Sequence, residues 1–157
     1  MARYHVDNRM AGSQQAVSTT YKTAVAVTAA TATLCRGRAV SFKIGPDGAP
    51  NATDCQIIYT VERQTAVGTS TPATPNPINP ADVASRSVAA VNFTGEGTYT
   101  LPIWTMPLNQ RASAIWNAQD TDAMLQWPAT NLAGLAALSL SPTYTGNILW
   151  GFDYEDQ

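Results

Sequence analysis

Charge is scarce in this chain. Only 13% of its 157 residues are Asp, Glu, Lys or Arg, and the formal net charge is −2, where an ordinary soluble domain carries about a quarter charged residues. Such a balance provides no basic field to draw in nucleic acid, so no nucleic-acid partner is expected. Histidine is scarcer still: His5 stands alone, in an opening stretch with no periodicity. A Ser/His/Asp triad or a Cys/His pair would have to recruit that unanchored residue, so the chain is expected not to be an enzyme. There is no Cys/His cluster with zinc-ligand spacing and no glycine-rich loop of phosphate-binding form. Asn117, Asp120 and Asp122 supply oxygens at short spacing, but without the glycine and terminal glutamate of a Ca²⁺ loop; a polar turn is expected there. Neither cofactor nor metal is therefore expected. No apolar run is long enough to cross a bilayer, the first ten residues have no apolar signal-peptide core, and no membrane partner is expected.

Cysteine is also sparse, with Cys35 and Cys55 only. If residues 38–45 and 55–64 form a hairpin around Gly45-Pro46-Asp47-Gly48, Cys35 faces about position 65, roughly 33 Å along a strand from Cys55. A disulfide needs Cα atoms within about 7 Å. Both thiols are expected to be free and buried, as suits a reducing compartment.

What the chain has in quantity is hydrophobic residues, 45%, set in short alternating runs. Arg38 to Gly45 alternates, with Val40, Phe42 and Ile44 inward and Ser41 and Lys43 outward. Lys22–Ala29, 56–63, 98–103, 111–117, 123–127 and 146–155 read as strands on the same ground, period two being the mark of a half-buried strand. Residues 132–141 are ambiguous, helical by propensity at Leu132–Leu138 and alternating at the end; 135–141 is assigned to a strand. Asn79-Pro80 has the form of an N-cap followed by proline, which predicts a short helix over 80–87. About eight turn-separated strands with one short helix make an all-β chain, an antiparallel β-sandwich with jelly-roll topology as one candidate. The expected organisation is an extended N-terminal arm over residues 1–20 and a β-sandwich domain over 21–157, with the core beginning at Lys22.

Candidate contact residues follow from this layout. The arm carries Arg3, Tyr4, Val6, Arg9 and Met10, bulky or cationic groups suited to holding a partner. Between the strands at 56–63 and 98–103 lies a proline-rich excursion with Pro72, Pro75 and Pro77, stiffened because each proline fixes its own φ and restricts the residue before it. Trp104, bracketed by Pro102 and Pro107, is expected in a loop as an exposed anchor. Trp116, Trp127 and Trp150 fall on apolar strand faces and are assigned to the core. Arg63, Gln110 and Arg111 are read as structural clamps for the proline excursion. Asp153, Glu155 and Asp156 read as a solvated strand end.

Five segments, taken in order, carry a resemblance: Tyr59–Thr71, Pro75–Asp82, Gly97–Thr100, Asn109–Ser113 and Trp127–Thr130. Together they resemble small β-sandwich virion proteins of tailed bacteriophages, over residues 55–155. The long opening arm and the Leu/Ala-rich 132–138 depart from that pattern. The resemblance implies a virion component assembled in the host cytoplasm. The expected role is a capsid decoration, or cement, protein on the capsid surface, with the major capsid protein and sister subunits (a homo-dimer or homo-trimer) as partners. A tail or head–tail connector component and a carbohydrate-binding module of a receptor-binding structure stay open as alternatives.

Overall fold

Period-two alternation places one row of side chains from each strand in a shared interior, and the arrangement is two antiparallel sheets facing each other, not closed into a barrel. The structure, a computed structural model, describes every residue except 11, 13, 14, 121 and 122. The strands in chain order are β1 (Arg3–Asp7), β2 (Gln15–Ala16), β3 (Lys22–Ala29), β4 (Gly37–Asp47), β5 (Gln56–Ala66), β6 (Thr69–Ala73), β7 (Asn76–Pro77), β8 (Ser87–Gly95), β9 (Thr98–Asn109), β10 (Ala114–Asn117), β11 (Leu125–Trp127), β12 (Gly134–Leu140) and β13 (Asn147–Asp156). One sheet runs β10-β4-β13-β1-β7, with β11 also on β4 and β2 also on β13; the other runs β6-β8-β3-β12-β5-β9. No helix is present among the described residues.

Eight strands form the frame. Taken in chain order as β1, β3, β4, β5, β9, β10, β12 and β13, the first pairs with the last, the second with the seventh, the third with the sixth and the fourth with the fifth. This is the pairing of one long hairpin rolled up on itself. The core between the sheets takes Phe42 and Ile44 from β4 and Ile148, Trp150, Phe152 and Tyr154 from β13. Opposite them stand Val25 and Val27 of β3, Ile57, Tyr59 and Val61 of β5 and Leu135 of β12. Phe42 stacks on Trp116 at 4.7 Å and meets Trp150 edge-on at 5.9 Å, offset and edge-to-face geometries that aromatic quadrupoles favour.

The six-stranded sheet is buried on both faces at its centre. Strands β5 and β9 pair, and their continuations β6 and β8 pair in turn, so the two form one long ribbon. Its halves flank the β3/β12 pair, and its bend lies over the outer face of that pair. Beneath it Ala26, Ala136 and Leu138 meet Phe93, with Val67 and Tyr99 packed against them. Asn92, at φ 52°, interrupts the alternation of β8, so that Phe93 joins this outer cluster while Val91 stays in the main core. The bend needs glycine: a Cβ on Gly68 would run into the backbone of Gly95 and Glu96, and one on Gly97 into the Ala66 carbonyl. Glu96 ties the bend down by accepting from the Thr23 amide at 3.0 Å and pairing with Lys22 at 3.6 Å.

Several sequence expectations are corrected here. The helix over 80–87 does not form. Asn79 accepts from the Ala81 and Asp82 amides as a turn residue, and Asp156 then captures the chain at Ser85–Ser87 before a helical turn can propagate. The 38–45/55–64 hairpin does not form either, since β4 and β5 lie in opposite sheets. Both cysteines are nonetheless free, Cys35 buried and Cys55 half-buried. Residues 1–20 are not an arm extending from a separate domain: Arg3–Asp7 is strand β1, inserted between β13 and β7. Its short alternating run is apolar enough, at Tyr4 and Val6, to join the core. Val40 is not inward, because the β4/β13 register shifts beside it and Ala39 takes the core position. Strand β8 went unrecognised in the sequence.

Candidate functional site

The proline-rich segment closes one side of the sandwich. Pro72 lies in β6, at the edge of the six-stranded sheet, and Pro77 in β7, at the edge of the seven-stranded one, with Pro75 between them. Proline suits an edge strand, where its missing N–H costs no ladder bond. Beyond β7 the chain presents apolar side chains outward: Ile78 is 55% exposed, Val83 75% and Val88 48%.

These side chains stand on a fixed base. The Ile78 amide donates to the Arg3 carbonyl at 2.8 Å. The Tyr4 hydroxyl, at the core edge, donates to the Val83 carbonyl at 3.0 Å. The Asp156 carboxylate accepts from the Arg86 amide at 2.7 Å and the Ser87 hydroxyl at 2.6 Å, and Ser85 Oγ lies 2.6 Å from the Tyr154 hydroxyl. Burial pushes the Tyr4 and Tyr154 phenols above their usual range, so both remain neutral at physiological pH. Exposed apolar side chains on an anchored backbone lose little freedom when a partner covers them.

A second polar constellation lies on the outer face of the seven-stranded sheet, across β1, β13 and β4. His5 Nδ1 is 2.6 Å from Asp153 and its Nε2 is 3.2 Å from Asp7. Asp153 also accepts from Ser41 Oγ at 2.7 Å and pairs with Lys43 at 3.0 Å. Burial acts to raise the Asp153 pKa, but the bonds from His5, Ser41 and Lys43 outweigh it and hold the carboxyl down to about 2. The Asp153 bond raises His5 above its ordinary value, against an opposing effect of burial. Ser41 bonds to the carboxylate and not to the imidazole, so the geometry is an ion-pair network and not a nucleophile with its base. No group of three or more His, Cys, Asp or Glu side chains able to hold a metal occurs among the described residues. Asp122, one of the oxygens considered for a Ca²⁺ loop, lies outside them.

The expected contact residues divide. Tyr4 and Val6 are in the core, 2% and 0% exposed, and so cannot meet a partner. Met10 packs half-buried against the same core. Arg3 pairs with the buried Glu155 at 2.7 Å, and Arg9 with Asp47 at 3.2 Å. Trp104 is not a loop residue: it sits within β9, its ring half-buried against Phe42, Trp116 and Trp150. Prolines 72, 75 and 77 stay at the surface edge.

The three clamps hold other parts of the chain than the proline segment. Gln110 Nε2 donates to the Asn51 and Thr53 carbonyls while its Oε1 accepts from the Asn51 amide at 2.8 Å. Arg111 bonds Asp54 at 3.0 Å. Arg63 donates to the Gln126 carbonyl at 2.6 Å, linking β5 to β11 across the sandwich. The C-terminal carboxylates are not a solvated strand end. Glu155 is 5% exposed between Arg3 and Arg38, and Asp156 anchors 85–87. Ile78, Val83 and Val88 escaped sequence reasoning; their one signal was isolated β-branched residues in an otherwise polar stretch.

No family model, curated protein or solved structure matches the chain.

Proposed function

We propose that this chain is a non-enzymatic virion structural protein, a jelly-roll capsid decoration module that binds and stabilises the major capsid shell. The observation that carries the reading is the strand pairing, first with last through fourth with fifth. That pairing supports a jelly-roll reading, an architecture shared by viral capsid and lectin domains. Fold alone does not fix function, and the surface favours the structural member of that pair. Trp127 and Trp150 are buried and Trp104 and Trp116 are packed on the core, so the tryptophans form no exposed platform for a sugar ring. The exposed apolar side chains of Ile78, Val83 and Val88, on an anchored backbone, are instead suited to a protein partner. Repetition over a symmetric shell would multiply a small contact of this kind through avidity.

The test is reconstitution on purified shells that lack the protein. The wild-type chain is expected to bind saturably and to raise the temperature at which shells release their contents. The pair Ile78→Asp and Val83→Asp, at exposed positions, is expected to leave the protein's own melting temperature within a few degrees while abolishing shell binding. Shell binding by that variant equal to wild type removes the edge from the proposal; no binding by the wild type to shells, together with binding to purified tails, moves the protein to a tail or connector role.

A further inference from the structure

Most cations of this chain are neutralised within it. Arg3, Arg9, Lys22, Arg38, Lys43 and Arg111 each lie against a carboxylate. Arg36, Arg63 and Arg86 have no carboxylate partner among the described residues. Two of these three, Arg36 and Arg63, line the same cleft, of about 550 Å³, whose other walls include Met124, Leu125, Trp127 and Pro128. In a protein with so little charge, two unneutralised guanidinium groups in one cleft call for an explanation.

The two arginines are held in different ways. Arg63 is oriented by its Nη1 bond to the Gln126 carbonyl at 2.6 Å, which leaves the rest of its planar fork of donors unused. Arg36 is fixed through its backbone, its carbonyl accepting from the Gln157 amide at 2.8 Å. Its guanidinium makes no hydrogen bond or ion pair among the described residues. Guanidinium forks match carboxylates in two-bond geometry. The cleft is many times the volume that one oxyanion needs, since a water molecule occupies about 30 Å³ of liquid, and its methionine, leucine and proline walls suit apolar atoms.

We propose that this cleft is a binding site for an acidic peptide segment, in which a glutamate or aspartate carboxylate bridges Arg36 and Arg63 and a neighbouring apolar side chain packs on Met124, Leu125 and Pro128. The cleft shares no lining residue with the Ile78/Val83 segment, and the inference stands whether or not the virion reading does.

The test is an NMR titration of the full chain that follows the arginine Nε–Hε resonances, with acetyl-Leu-Glu-Leu-amide as probe and acetyl-Leu-Gln-Leu-amide and inorganic phosphate as comparisons. The glutamate peptide is expected to shift the Arg36 and Arg63 resonances saturably. Arg36→Gln and Arg63→Gln should each weaken it about tenfold or more, the loss of a charge-assisted contact, while Arg86→Gln, outside the cleft, leaves it unchanged. Arg36→Gln disturbs no internal bond, so it decides the matter even if Arg63→Gln unfolds. Absence of a saturable shift, an equal response to the glutamine peptide, equal weakening by Arg86→Gln, or tighter binding of phosphate than of the peptide each overturns the assignment.

Discussion

His5 shows how far a residue's role can depend on partners remote in sequence. Alone in its segment it reads as an unanchored histidine, yet β1 sets it beside Asp153, nearly the whole chain away. The same holds for Glu155, buried between arginines of β1 and β4: alternation along β13 shows which side chains face outward, but not what lies across from them. The consequence for pH dependence can be worked out. His5 has a folded pKa raised above 6.5, so its contribution is complete below that value and is lost as pH rises through the folded pKa. Asp153, lowered from 3.8 to about 2, contributes above 3.8 and is lost as pH falls towards about 2. Stability from this network is therefore greatest between these two limits. Urea midpoints taken at about pH 5 and about pH 8 are expected to fall with rising pH in the wild type, and the fall should shrink in His5→Gln. An undiminished fall in that variant assigns the alkaline loss to other groups. Asp153→Asn leaves Ser41, Lys43 and His5 facing a neutral amide, and is expected to cost about 2 kcal/mol or more in the same assay at about pH 6.

Element by element, alternation made β4, β5 and β13 legible: Phe42 and Ile44, Ile57, Tyr59 and Val61, and Ile148, Trp150, Phe152 and Tyr154 all reach the core, with Val40 the exception. Those that failed did so for definable reasons. Strand β12 reads Gly-Leu-Ala-Ala-Leu-Ser-Leu, nearly all buried, because the core lies on one face and the ribbon bend on the other; with both faces dry, period two disappears and the run resembles a helix. Strand β8 was hidden by small alanines and by the Asn92 interruption. Strand β1 is five residues long, too short for periodicity to declare itself. Its inclusion moves the start of the core from Lys22 back to Tyr4. Burying Tyr4 and Val6 contributes about 1.5–3 kcal/mol apiece, a large share of the 5–15 kcal/mol typical of a domain. Deletion of residues 2–10 is expected to unfold the protein or lower its melting temperature by about 10 °C or more by circular dichroism; a melt unchanged by the deletion would show that β1 is dispensable. At the candidate edge, the proline segment was recognised as a surface feature, but its anchorage by Tyr4 and Asp156 depends on contacts that no local pattern encodes.

For the molecule as a whole, the sequence supported two-sheet packing but not the order of the strands, which rests on pairings between distant segments. Such pairings carry a loop-closure cost before they return any stabilisation, and proteins dominated by them fold slowly. Stopped-flow refolding is expected to proceed over milliseconds to seconds or slower; microsecond refolding would mean that a locally formed ribbon carries most of the stability. The central place of β13 has a further consequence, for biosynthesis. This strand is last in chain order, yet it lies between β4 and β1 in the middle of its sheet. While it is still within the ribosome, β4 and β1 have no one to join them and the aromatic side chains that face Trp150 and Phe152 are open to water. A nascent chain in that condition is exposed to chaperones, to proteases and to its neighbours on the same message. The emergence of β13, and not the appearance of any earlier strand, is the moment at which the sandwich can close over these side chains.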